Sequence, residues 1–196
     1  MTLLRLIRHG QTLWNAQGRI QGHVDIPLND EGRAQAHGAA DGLRGLRYAA
    51  VVTSPLERAA STAAIIATDL GLSNVEIDPQ LVEQTFGAAD GRLWSELDGI
   101  LEGGPIPGAE THLALAKRAT SALRRIGARF AGRNVIIVSH GAFINAVNRH
   151  ATHGSGMNAE PAANGSIHDI VFSDGQLVPS LPVLHHTDAD RILESR

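Results

Sequence analysis

Leu3-Leu4-Arg5-Leu6-Ile7-Arg8-His9-Gly10 and, far downstream, Val135-Ile136-Ile137-Val138-Ser139-His140-Gly141 are two short apolar runs that each stop at a His-Gly pair. Apolar runs this short, rich in branched side chains and ended by glycine, read as buried strands. Each run then places an imidazole just past the carboxyl end of its strand. In open α/β sheets the ligand crevice lies at that edge. The two pairs therefore predict a sheet that carries a site at the carboxyl ends of its strands.

The surrounding pattern alternates in the same way. Asn29 reads as a helix cap, with Asp30 and Glu31 in the positive first turn, and the helix is expected to continue to about Leu46 despite Gly38 and Gly42. Residues 49–53 read as a second buried strand. Ser54-Pro55-Leu56-Glu57 reads as a capping box with proline at the first helical position, which puts Arg58 in the first turn of a helix running on through 59–70. Residues 75–77 read as a short edge strand. Residues 81–101 are less regular, and 103–108 form a Gly/Pro-rich loop. Ala116, Ala119, Leu123, Ile126 and Phe130 share one face of a long helix. Residues 135–139 are the third central strand, 142–150 read as helical, and 151–165 as a polar, Gly-rich loop. Ser173-Asp174-Gly175 between 167–172 and 176–178 marks a hairpin. The tail from Pro179 has no clear period. The expected fold is a single α/β domain over residues 1–196: a three-layer sandwich whose central, mostly parallel sheet has helices on both faces. A small helical or loop-rich cap is expected after Glu83.

Composition narrows the function classes. The chain has 196 residues, 43% of them hydrophobic, and a formal net charge of −3. It is long enough for a substantial core, and nothing in its charge points to nucleic acid or a membrane surface. It has no cysteine, which removes disulfides and thiolate metal sites. No signal-peptide pattern and no apolar run near 20 residues is visible, so a cytoplasmic location is expected. Lys117 is the only lysine; that skew toward arginine, with abundant alanine and glycine, reads as base composition rather than function.

Four residues carry the chemical argument. A neutral imidazole nitrogen can attack phosphorus and hold the group covalently, which makes His9 a candidate nucleophile. Arg8, at the end of an apolar strand, needs an anionic partner because an unpaired buried guanidinium is costly. Arginine also holds phosphate by paired hydrogen bonds. Neighbours on a strand face opposite ways, so Arg8 and His9 share a site only if the strand ends there, and Gly10 allows that turn. Arg58, at a helix start on the same edge, is a second anion holder. Taken singly, Arg58 reads as a solvated surface residue or an ion pair with Glu57, and His9 and His140 read as core or capping histidines. Two arginines and two histidines converging on strand ends repel unless an anion sits among them. Elsewhere, His150 with His153 has metal-pair spacing and His185-His186 is adjacent, but no carboxylate completes a motif, so no metal site is expected.

The blocks Leu6-Ile7-Arg8-His9-Gly10-Gln11-Thr12, Asn15 and Gln21-Gly22-His23 resemble the opening of the histidine phosphatase superfamily, also called phosphoglycerate-mutase-like. Ser54-Pro55-Leu56-Glu57-Arg58-Ala59, Leu81-Val82-Glu83-Gln84-Thr85-Phe86-Gly87 and Val138-Ser139-His140-Gly141 resemble its later blocks, in the family's order. The resemblance implies that His9 is phosphorylated and that Arg8, Arg58 and His140 grip the phosphoryl oxygens. It also implies that Asn15, Gln21 and Gly22 belong to the loop closing the phosphate pocket, and that Glu83 donates the proton. It implies a phosphomonoester hydrolase of the short phosphatase type, with no metal and no cofactor, acting on a small phosphorylated metabolite, with a homodimer left open. A cofactor-dependent phosphoglycerate mutase and a non-catalytic module that binds a phosphorylated ligand are the alternatives. One departure stands out. After Phe86-Gly87 the family has an aromatic and an acidic residue before glycine, whereas this chain has Ala88-Ala89-Asp90-Gly91. That leaves the wall of the substrate pocket open, although Trp94 follows shortly after.

Overall fold

A computed structural model describes residues 1–96, 104–151 and 162–180. Its strands are β1 (Thr2–Arg8), β2 (Tyr48–Thr53), β3 (Val75–Ile77), β4 (Asn134–Ser139), β5 (Ile167–Ser173) and β6 (Gln176–Pro179). They form one six-stranded sheet in the order β3-β2-β4-β1-β5-β6. The first four positions are parallel to one another, and the β5–β6 hairpin closes the far edge antiparallel to β1. Arg8 lies opposite Ser139 in the β1–β4 register, and Thr53 lies opposite Val138 in the β2–β4 register. Three strands therefore end level, side by side.

The helices are α1 (Leu13–Ala16), α2 (Asp30–Leu43), α3 (Glu57–Leu70), α4 (His112–Arg129) and α5 (Gly141–Ala151). Strand alternation sorts the core into two layers. Leu4, Leu6, Val52, Val135 and Ile137 pack with Leu115, Leu123 and Ile126 of α4 and Phe143, Ile144 and Val147 of α5. Ile7, Val51, Ile136 and Val138 face the other way, against Ala39, Ala40 and Leu43 of α2 and Ala59, Ala63 and Ile66 of α3. The result is the expected three-layer α/β sandwich. Of the face predicted for the long helix, Ala119, Leu123, Ile126 and Phe130 are buried and Ala116 packs at its margin. Burying one such Leu or Ile stabilises the fold by about 1.5–3 kcal/mol, and these layers pack directly beneath the strand ends.

Two boundaries differ from the sequence reading. Helix α2 stops at Leu43, with Arg44 already extended, rather than reaching Leu46. Helix α3 starts at Glu57 with Leu56 as its uncapped N-cap residue, so Ser54 is not a helix cap. Arg58 still falls in the first turn. After Glu83 the chain forms single 3₁₀ turns at Gly87–Ala89 and Trp94–Glu96. The rest of the expected cap, most of the 151–165 loop and the tail from 181 onward lie outside the described residues. Among the described residues, no helix is long and apolar enough to cross a membrane.

Gly10 has a different reason to be glycine from the one expected. It does not adopt a positive φ. Instead, a Cβ there would stand 2.1 Å from the Gly32 carbonyl oxygen, and a Cβ at Gly32 would stand 2.1 Å from the Gln11 carbonyl oxygen. The turn after β1 is thus pressed directly onto the first turn of α2, backbone to backbone.

Candidate active site

His9 follows the last residue of β1 and continues its ladder, its N–H donating to the Ser139 carbonyl at 3.0 Å. His140 follows the last residue of β4. Both rings are buried, with centroids 5.2 Å apart in an edge-to-face arrangement. Arg8 turns toward α5, where its Nε would be 3.3 Å from a Cβ on Gly141. His9 turns toward α3, where it meets Arg58. The neighbours leave on opposite sides, as strand geometry requires. The strand end is what brings them to one site.

The hydrogen bonds of His9 assign its tautomer. Nδ1 is 2.7 Å from the Gly10 carbonyl oxygen, which can only accept, so Nδ1 carries the proton. Nε2 receives the Arg58 Nε–H at 3.2 Å, so Nε2 carries the lone pair. Burial, and then the charges of Arg58 and Arg8, push the pKa of His9 well below its ordinary value, outweighing the Gly10 bond. A neutral imidazole with its Nε2 lone pair facing the Arg58 guanidinium can act as a nucleophile toward an electrophile bearing negative charge.

Arg58 is 1% exposed. Its Nη1 donates to the Val24 carbonyl and its Nη2 to the Gly22 carbonyl, both at 2.8 Å. Burial pulls its pKa down while Glu83 and Asp25 oppose the shift. Arg8 is partly exposed; its Nη1 donates to the Ala162 carbonyl at 2.6 Å, and its Nε is buried with no hydrogen-bond partner. Nδ1 of His140 is likewise buried and unpartnered. Burial, and then Arg58, hold the pKa of His140 well below its ordinary value. Unsatisfied buried polar atoms are rare and call for a partner. Here two lie in the same charged pocket, where the oxygens of an anion can satisfy them.

Glu83 reaches the same place from the loop after the 3₁₀ turn at Pro79–Leu81. Its Oε1 accepts the Phe143 N–H and its Oε2 the Ala142 N–H, both at 3.2 Å, in the first turn of α5. It shares a cleft of about 380 Å³ with Arg8. Phe86, Trp94, Ala142, Asn145 and Ala162 also line that cleft. The Phe86 and Trp94 rings meet edge to face with centroids 5.4 Å apart. Trp94 therefore supplies the aromatic wall that the Ala88-Ala89 sequence lacks.

Asn15, Gln21 and Gly22 form the loop beside this pocket. Gln21 Oε1 accepts the Thr12 hydroxyl at 2.9 Å. Asn15 Oδ1 accepts from the Thr12 N–H and from Asn164 Nδ2. Gly22 has a φ of +51°, and a Cβ on it would stand 2.2 Å from Asp90 Oδ1. Only glycine fits there while its carbonyl holds Arg58.

Three further residues support the site. Asn164 Nδ2 donates to the His9 carbonyl at 2.9 Å. The Thr62 hydroxyl accepts the Gly10 N–H at 3.1 Å. Ser54 touches His140. Thr62, with Ala63, belongs to the block around Arg58 that resembles the family and lies one helical turn after Arg58; read from sequence, Asn164 and Ser54 carry no such role. Among the described residues, no group of three or more histidines and carboxylates is arranged to hold a metal. His150 Nε2 lies 3.3 Å from Arg124 Nη2, and His153, His185 and His186 lie outside the described residues.

Comparison with known proteins agrees with this architecture. The chain is 35% identical over 183 residues to phosphoglycerate mutase-like protein 4 of Arabidopsis thaliana, covering 87% of this chain and 79% of the relative. It is 34% identical over 190 residues to a metal-independent phosphoserine phosphatase of the same plant, covering 89% and 78%. Its fold superposes on a phosphoserine phosphatase variant from Entamoeba histolytica, solved with phosphoserine, at a TM-score of 0.80 and 28% identity, covering 92% of this chain and 96% of that one. The sequence pattern of a whole family matches residues 4–182. With His9 and His140 at the level ends of parallel strands and Arg58 in the first turn of α3 beside them, the chain belongs to the histidine phosphatase superfamily (branch 1).

Proposed function

We propose that this protein hydrolyses the phosphomonoester of a small metabolite through a phosphohistidine at Nε2 of His9. The tautomer of His9 carries the reading: Nδ1–H is bound to the Gly10 carbonyl and the Nε2 lone pair faces Arg58. In the first step the Nε2 lone pair bonds to phosphorus as the ester P–O bond breaks. The Arg58 Nε–H gives up its 3.2 Å contact and turns to a phosphoryl oxygen. The Gly10 carbonyl stabilises the positive charge that the ring acquires. Glu83 gives a proton to the departing alkoxide. In the second step water attacks phosphorus, Glu83 takes the water's proton, and the P–N bond breaks to release inorganic phosphate and neutral His9.

Arg8, Arg58 and His140 neutralise charge on the three non-bridging oxygens, which is most of what phosphoryl transfer asks of a protein. The same groups make a divalent ion unnecessary in this scheme. The kinship with a metal-independent phosphoserine phosphatase supports the hydrolytic reading, and that with a mutase-like protein fits the shared first step.

Rapid quenching with labelled p-nitrophenyl phosphate tests the intermediate. Acid-labile, base-stable phosphate should be trapped on the wild-type chain and not on His9→Ala. Label stable to acid, or normal turnover by His9→Ala, overturns the mechanism. Conversion of 3-phosphoglycerate to 2-phosphoglycerate, primed by 2,3-bisphosphoglycerate and with negligible free phosphate, would instead establish a mutase.

A further inference from the structure

We propose that the cleft beside the phosphoryl pocket is a leaving-group subsite for an uncharged aromatic or apolar group, and that it disfavours substrates carrying a carboxylate. This rests on the phosphatase reading and names the substrate class of that same site.

The lining carries the inference. Beyond Arg8 and Glu83, the walls are Phe86, Trp94, Ala142, Asn145 and Ala162. Phe86 is almost closed off, fixed among Ile20, Ala89, Ile106 and Ala142. Trp94 stands against it edge to face but stays 49% exposed, so much of the indole is free to cover a ligand. An exposed aromatic set on a rigid aromatic floor is a platform for a flat apolar group, since edge-to-face and offset ring contacts add to simple burial.

Charge argues the same way. Arg8 is the only cation among the described residues that line the cleft, and one of its terminal nitrogens is already held by the Ala162 carbonyl. Arg8 and Arg58 are committed to the phosphoryl group. Arg118, which passes behind Glu83, is taken by Glu110 and by the carbonyls of Gln80, Val82 and Glu83. Arg92, near Trp94 in sequence, pairs with Glu96. A carboxylate on the leaving group would lose its water beside Glu83 without gaining a cation, and desolvating an unpaired charge is costly. Asn145, whose Oδ1 already accepts the Ala162 N–H at 3.1 Å, is the neutral polar group in the wall, and its Nδ2 can donate to one hydroxyl or ether oxygen of an otherwise apolar ligand.

The test compares phosphate release from benzyl phosphate and 3-phenylpropyl phosphate with release from O-phosphoserine and 3-phosphoglycerate. All four are alkyl esters, so the comparison reads binding of the carbon skeleton more than leaving-group reactivity. The aromatic pair should show kcat/KM at least about 10-fold higher, the factor expected from burying one ring on an aromatic wall. Trp94→Ala should lower the ratio of benzyl phosphate to phosphoserine activity by about 10-fold. Trp94→Arg, which adds the missing cation on an exposed side chain, should lower it further by improving phosphoserine. Preference for phosphoserine or 3-phosphoglycerate in the wild type, or equal losses on all four esters in Trp94→Ala, overturns the inference and leaves the phosphatase reading intact. Absence of phosphate release from all four, and from p-nitrophenyl phosphate, overturns both.

Discussion

The hydroxyl of Ser54 lies 2.8 Å from Nε2 of His140, and both residues are completely buried. The same hydroxyl oxygen accepts the Leu56 N–H at 3.3 Å. Leu56 offers that hydroxyl only a donor, so the acceptor in reach of the serine proton is Nε2. His140 is then the Nδ1–H tautomer, and its unpartnered Nδ1 is a donor waiting for a phosphoryl oxygen.

Ser54→Ala should release that constraint. Turnover should fall by about 3- to 10-fold, the worth of one neutral hydrogen bond, and affinity for orthovanadate should fall in parallel. ¹⁵N spectra of the wild type should show His140 protonated at Nδ1, with a mixture of tautomers in the variant. A wild-type His140 protonated at Nε2 rules the assignment out.

Glu83→Gln should separate substrates by their need for a proton. The amide keeps the shape and one oxygen for the α5 backbone N–H groups, but has no acid to give. Release of an alkyl alcohol should slow by about 100-fold or more, within the usual range for general acid catalysis. Release of p-nitrophenolate, already a weak base, should slow much less. The check is the first chemical step on benzyl and p-nitrophenyl phosphates; equal losses speak against Glu83 as the donor.

Activity should survive excess chelator. In the proposed reaction Arg8 and Arg58 supply the positive charge that magnesium supplies in kinases. Loss of phosphate release in EDTA, with recovery on adding one divalent ion, contradicts this.

Acid should weaken the fold through the two buried histidines. Both are held neutral well below the ordinary value of 6.5. Above that value neither the folded nor the unfolded chain protonates them, so they add no pH dependence. As pH falls through it, the unfolded chain takes up protons that the folded chain refuses, and stability drops until the folded values are reached. Each histidine contributes at most about 1.4 kcal/mol per pH unit. Urea midpoints should fall from about pH 7 downward, and His9→Gln should flatten the slope. The opposite slope, or no change in His9→Gln, refutes the burial argument.

These residues also show what could be read before folding. His9 and His140 were legible because an apolar run ending in His-Gly is a local pattern with a topological meaning. Ser54 was misread as a helix cap because Ser-Pro-x-Glu looks the same locally whether the hydroxyl serves the helix or a histidine from another strand. Asn164 gave no signal, since its partner is a backbone carbonyl at the far end of the chain. Glu83 stood out only through resemblance to the family, because a lone carboxylate in an irregular stretch reads as surface. Trp94 was visible as a nearby aromatic, but its packing on Phe86 needed the turns between them. The β5–β6 hairpin was plain from its turn, while its place beside β1 was not.

The central position of β1 has a consequence for the order of synthesis. Strand β1 pairs with two strands that follow it far along the chain, β4, Leu4 against Val135, and β5, Leu4 against Ile170. Neither neighbour exists until most of the chain has left the ribosome, so Arg8 and His9 emerge early and stay without a frame. Such distant pairings make the late stage of folding slow. The phosphate pocket closes only once β1 has paired with β4, so an anion that fills it stabilises chains in which that pairing is complete.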